Sequence, residues 1–164
     1  MSPAARLVVE HALEVHRDRP GALLPILHAI QDELGFVPEA SVGSIADNLN
    51  LSRADVHGVV TFYHDFRESA PGRLVIKVCR AEACQAVGGE SLVRDLASQL
   101  RCPMGETRQD GAVTLEPVYC LGNCALGPSA LINGELRGRV HATELSEEID
   151  RLLAAERTPP GGAQ

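Results

Sequence analysis

Apolar residues first recur along this chain at helical spacing and later in short extended runs. Over residues 4–17, Leu7, Val8, Ala12 and Val15 return near every third or fourth position, among polar Arg6, Glu10, Glu14 and Arg17. The spacing predicts a helix that Arg17-Asp18-Arg19-Pro20-Gly21 breaks. Leu23, Leu27, Ile30 and Leu34 stripe a second helix over 22–34; Pro25 is tolerated in its first turn, and Gly35 is a natural stop. A third helix is expected over 39–49 from Val42, Ile45, Ala46 and Leu49. A fourth starts at Ser52, with Asp55 placed to complete a capping box, and continues through Val56, Val59, Val60 and Tyr63. Residues 1–68 thus read as a helical bundle, and Ser69-Ala70-Pro71-Gly72 marks a boundary.

The period then changes. Residues 73–78 form a run apolar on both faces, as in an interior strand. Leu92, Val93, Leu96 and Leu100 stripe a helix over 90–100. Residues 113–119 form a second strand, whose Pro117 belongs at an edge or a bulge. Ala130-Leu131-Ile132 and 135–140 flank Asn133-Gly134, a strong hairpin signal. A last helix is expected over 143–155. The fold class is α+β: a helical bundle over 1–68, then a mixed-sheet domain over 69–157, with 158–164 a flexible tail.

Four cysteines sit where strands end. Cys79 and Cys84 follow the first strand, in Cys79-Arg80-Ala81-Glu82-Ala83-Cys84. Cys120 and Cys124 follow the second, in Cys120-Leu121-Gly122-Asn123-Cys124. Four thiolates from two loops suit a tetrahedral zinc or an iron–sulfur cluster. Structural zinc favours tight Cys-x₂-Cys knuckles around one ion. The wider gaps here favour a [2Fe–2S] diamond; zinc and disulfides stay open as rival readings.

The same residues carry a resemblance. Cys-x₄-Cys followed by Cys-Leu-Gly-x-Cys and then Gly-Pro resembles the thioredoxin-like [2Fe–2S] ferredoxins. Upstream, Gly58-Val59-Val60-Thr61-Phe62-Tyr63 resembles the helical domain preceding the ferredoxin in the small cluster subunit of respiratory complex I and its relatives. His64-Asp65-Phe66-Arg67 and Cys79 to Gln85 look most similar to the gamma subunit of soluble, molybdenum-containing, NAD-dependent formate dehydrogenases. The resemblance implies a thioredoxin-like ferredoxin domain and one [2Fe–2S] cluster on Cys79, Cys84, Cys120 and Cys124. It also implies a non-catalytic electron-transfer role beside a flavoprotein subunit carrying FMN, further clusters and the NAD site. In a formate dehydrogenase a molybdenum subunit would supply the electrons. The alternatives are the equivalent subunit of complex I or of an NAD-reducing hydrogenase and, more remotely, a zinc-binding adaptor.

Composition narrows the rest. The chain is 45% hydrophobic but 3% aromatic, with no Trp, so its core is aliphatic. Residues 1–68 contain five Arg and ten acidic residues, and the whole chain carries −7. That argues against nucleic-acid binding, although residues 44–52 have a helix–turn–helix rhythm. No signal peptide and no apolar run of about 20 residues is visible, so a cytoplasmic chain with reduced thiols and no membrane span is expected. Cys102 reads as a small buried apolar residue before Pro103. Gly122, Asn123 and Gly127 are expected to let backbone N–H groups approach the sulfurs, as is the helix start at Gly88-Gly89. Arg80 reads as a solvated cation, and Leu121, Ala125 and Leu126 as a shield over the cluster. No nucleophile–base constellation stands out.

Overall fold

The computed structural model describes residues 1–157; the tail expected over 158–164 lies outside the described residues. The chain divides into two compact units, Met1–Ala70 and Pro71 onward.

The first unit holds four helices: α1 (Pro3–His16), α2 (Leu23–Leu34), α3 (Val42–Leu49) and α4 (Arg53–Phe62). Local chemistry sets their ends. Ser2 caps α1 by accepting the Ala5 N–H. Gly35 ends α2 in the left-handed conformation at φ 80°. At the start of α4 the Ser52 side chain accepts the Asp55 N–H while the Asp55 carboxylate accepts the Ser52 N–H, a complete capping box. The helix expected over 39–49 is a 3₁₀ turn at Glu39–Ser41 running into α3. The expected stripes meet in one core: Ile26, Leu27, Ile30, Ile45 and Val56 are wholly buried. In α4, the exposed Arg53 side chain lies over Gly43 of α3.

The second unit is a four-stranded sheet in the order β2-β1-β3-β4, with β1 at Leu74–Cys79, β2 at Val113–Val118, β3 at Ser129–Ile132 and β4 at Glu135–Gly138. β1 runs parallel to β2 in the register Leu74↔Val113 through Cys79↔Val118, and antiparallel to β3. A parallel pair needs a long crossover, and α6 (Gly89–Leu100) supplies it. Ile76, Leu96, Leu115 and Ile149 are wholly buried in one core that takes in α6 and α7 (Ala142–Arg157). Burying each contributes about 1.5–3 kcal/mol before entropy is charged.

β1 is interior as expected, but its two faces differ. Leu74, Ile76 and Val78 are buried, whereas Val75 and Lys77 are half-buried. Lys77 stands opposite Glu116 in the register, with their charged groups 3.7 Å apart. Pro117 lies on edge strand β2. The outer side of that strand is covered by residues 105–108: Gly105 donates to Leu115, and Arg108 to Val113. The hairpin turns at Asn133-Gly134, and Asn133 Oδ1 also accepts the Val75 N–H at 2.7 Å. Cys102 is wholly buried, with Sγ 3.2 Å from the Glu106 carbonyl; burial pushes its thiol pKa up.

Candidate metal centre

Parallel pairing sends the C-terminal ends of β1 and β2 to the same edge of the sheet. Cys79 is the last residue of β1, and Cys120 lies two residues beyond β2. The Arg80 N–H donates to the Val118 carbonyl at 2.8 Å, holding the two exits together. Cys84 sits on a five-residue helix, α5 (Glu82–Ala86), that the sequence pattern did not reveal. Cys124 opens a 3₁₀ turn, Cys124–Leu126.

The sulfur environments interlock. The Cys79 thiol is buried, which alone would raise its pKa. It is nonetheless lowered, by the Ala81 N–H, the Cys84 thiol and the N–H groups of Cys120 and Leu121. The Cys84 pKa is raised, by burial first and then by the Cys79 thiol, with the Ser129 N–H pulling the other way. Cys120 Sγ and Cys124 Sγ are 3.8 Å apart. A tetrahedral metal with metal–sulfur bonds of about 2.3 Å holds two of its sulfurs about 3.8 Å apart. The Cys124 pKa is raised, chiefly by the hydrogen bond with Cys120.

These residues fit a binuclear iron–sulfur group. Cys79 and Cys84 are buried, Cys120 and Cys124 exposed. Among the described residues no three Cys, His, Asp or Glu side chains close around one point as on a single ion. Two cysteine pairs suit a two-metal centre, whereas one zinc needs four sulfurs about a single point. Space is reserved as well: a Cβ on Gly127 would stand 3.4 Å from Cys84 Sγ and 3.1 Å from the Val87 side chain. Cys120 takes φ 102°, a conformation L side chains rarely adopt.

The expected supporting residues divide. The Gly122 N–H lies 3.4 Å from Cys120 Sγ. Gly127 gives room rather than a donor. Asn123 uses its side chain, donating to Ser129 Oγ at 3.1 Å. Arg80 is turned to Glu90 by two hydrogen bonds of 3.1 and 2.9 Å, and Gln85 donates to the Arg80 carbonyl. Of the residues expected to shield the cluster, Leu121 is half-buried, and Ala125 and Leu126 are exposed. Tyr119 and Val87, unremarked in the pattern, stand exposed among the cysteine loops at 72% and 55%. Nothing local in the sequence marks them.

The model of the thioredoxin-like [2Fe-2S] ferredoxin family matches residues 9–153. A subunit of the NADH-quinone oxidoreductase of Pseudomonas aeruginosa is 35% identical over 153 residues, covering 93% of this chain and 92% of that protein. The corresponding NADH-quinone oxidoreductase subunit of Escherichia coli is also 35% identical, covering 93% and 90%. The crystal structure of an air-oxidized NAD+-reducing [NiFe]-hydrogenase matches with a TM-score of 0.67 at 24% identity, a likeness of fold. It covers 87% of this chain, which spans 25% of the hydrogenase chain. By the length of the family match and the identity to these relatives, this chain belongs to the thioredoxin-like [2Fe-2S] ferredoxin family.

Proposed function

We propose that this chain is the electron-transfer subunit of an NAD(H)-linked flavoprotein complex, holding one [2Fe–2S] cluster on Cys79, Cys84, Cys120 and Cys124. When bound, such a cluster takes up and returns one electron at a time. The chain's own residues do the rest. The N–H groups of Ala81, Cys120 and Leu121 favour the thiolate of Cys79 that a metal requires. Glu90 holds the Arg80 guanidinium. Cys120 and Cys124 present the exposed side, where a partner subunit carrying FMN and the NAD site would lie. The observation that carries the proposal is the convergence of the two loops: the Arg80 N–H bonds to the Val118 carbonyl, and Gly127 of the second loop lies against Cys84 Sγ of the first.

The parent complex is proposed to be of the complex I type or an NAD-reducing hydrogenase. The NADH-quinone oxidoreductase relatives align over nearly their whole length, which supports the first. A formate dehydrogenase with a molybdenum subunit is the second reading, supported by the likeness of His64–Arg67 and Cys79–Gln85 alone. A cytoplasmic setting is proposed with either; among the described residues no helix is long and apolar enough to cross a membrane. Affinity purification from the native host, with mass spectrometry of the partners, separates the readings. A flavoprotein with quinone-reductase or hydrogenase subunits is the expected result. A molybdenum subunit selects formate dehydrogenase, and a colourless, zinc-loaded chain rejects the electron-transfer role.

A further inference from the structure

Residues 120–127 have little regular structure, yet they carry two of the proposed ligands. Asn123 occupies the variable position of Cys-Leu-Gly-x-Cys, and its Nδ2 donates to Ser129 Oγ at 3.1 Å. Ser129 is 1% exposed at the start of β3. Its hydroxyl donates to the Leu126 carbonyl at 3.2 Å. That carbonyl also accepts the Arg139 N–H at 2.7 Å. The loop is therefore tied to the sheet at 123 and at 126.

Beneath these ties lies Gly138 of β4. A Cβ there would be 2.8 Å from Asn123 Nδ2, 2.9 Å from Leu126 Cβ and 3.0 Å from the Leu126 carbonyl oxygen. Gly138 is not among the positive-φ residues, so it serves by giving space. Gly127, two residues before Ser129, lies against the first loop: a Cβ there would stand 3.4 Å from Cys84 Sγ. The loop that the Ser129 hydroxyl ties down is thus the one that packs against Cys84.

We infer that Asn123 and Ser129, seated over Gly138, form a clamp that positions the Cys120–Cys124 pair relative to Cys84 and so governs retention and potential of the cluster. This rests on the ferredoxin reading above. Neither side chain is a ligand; both act through the backbone that carries the sulfurs. Outer-shell groups orient ligands, and hydrogen bonding around the sulfurs shifts the potential of iron–sulfur centres. A side chain placed only for solvation would leave both properties alone.

The test uses the full chain, anaerobically reconstituted, as wild type, Asn123→Ala, Ser129→Ala and the double variant. Three quantities are read: the rate at which visible absorption bleaches in a chelator, the midpoint potential, and the spin signal after reduction. Each single variant should take up as much iron as wild type and lose it about three- to tenfold faster, the worth of one hydrogen bond. Potential and signal shape should shift in both. The double variant should bleach no faster than the worse single, because both break the same tie. Gly138→Ala should reproduce Asn123→Ala without removing a polar group; if it fails to fold, the double-mutant comparison still decides. Unchanged rates and potential, or effects that simply multiply, overturn the clamp alone. A wild-type chain that takes up no iron overturns the ferredoxin reading and the clamp with it.

Discussion

Replacing Gly89 by Ala sets two physical effects against each other. Gly89 is the first residue of α6, and helix propensity favours Ala over Gly there by at most about 1 kcal/mol. An added Cβ, however, would stand 2.7 Å from the Cys84 carbonyl oxygen and 2.9 Å from its carbon. Those atoms belong to the backbone and cannot swing aside, so Cys84 itself must shift by several tenths of an ångström. Overpacking of this kind costs about 1–3 kcal/mol. The clash therefore wins, with a net loss of about 1–2 kcal/mol, because a helix start gains less than the full propensity. For a unit of this size that lowers the melting temperature by roughly 5–15 °C. Thermal bleaching of the cluster reads this unit, and iron content reads the displacement of Cys84. Gly58→Ala is the control: Gly58 lies inside α4 with nothing within 4 Å of the added Cβ, so it should stabilise the helical unit by up to about 1 kcal/mol. A Gly89→Ala chain that melts higher and keeps its iron would refute the close approach of α5 to α6.

Further outcomes follow from single residues. Cys79→Ser should abolish the visible absorption and spin signal while the circular dichroism of the helices persists; unchanged iron content would reject Cys79 as a ligand. Ser52→Ala removes half of the capping box and should cost the helical unit about 1 kcal/mol, read by denaturant midpoint, with cluster properties unmoved. Asp110 is held down to about 2 by the hydrogen bonds from Arg108 and then by the Ala112 N–H. Its folded pKa lies below the unfolded value near 3.8, so its stabilisation is present above pH 3.8 and is lost as pH falls towards 2. Acid titrations of wild type and Asp110→Asn should therefore diverge above that window and converge within it; parallel curves throughout would count against the Arg108 pairing.

What the sequence made legible is what local chemistry decides. Ser52 and Asp55 lie three residues apart, and Gly35 and Asn133-Gly134 act through their own backbone preferences, so the start of α4, the end of α2 and the hairpin could be read directly. The cysteine pairs were legible because thiols after strands at that spacing have few other uses. The rest depends on residues far apart in the chain. No pattern shows that Ser129 ties down the second loop, that Glu90 holds Arg80, or that Gly138 makes room for Asn123. Helix α5 is too short for a periodic signal, and the positive φ of Cys120 comes from closing a loop. The exposure of Ala125 and Leu126 was not legible either, because a turn rather than composition sets their direction.

The most direct test of the central claim is joint analysis of iron, acid-labile sulfide and zinc in the anaerobically purified chain, with its spin signal after dithionite. The account predicts iron and sulfide in equal amounts, about two of each per chain, and a rhombic or axial signal on reduction. One zinc per chain, no labile sulfide and no signal would contradict it.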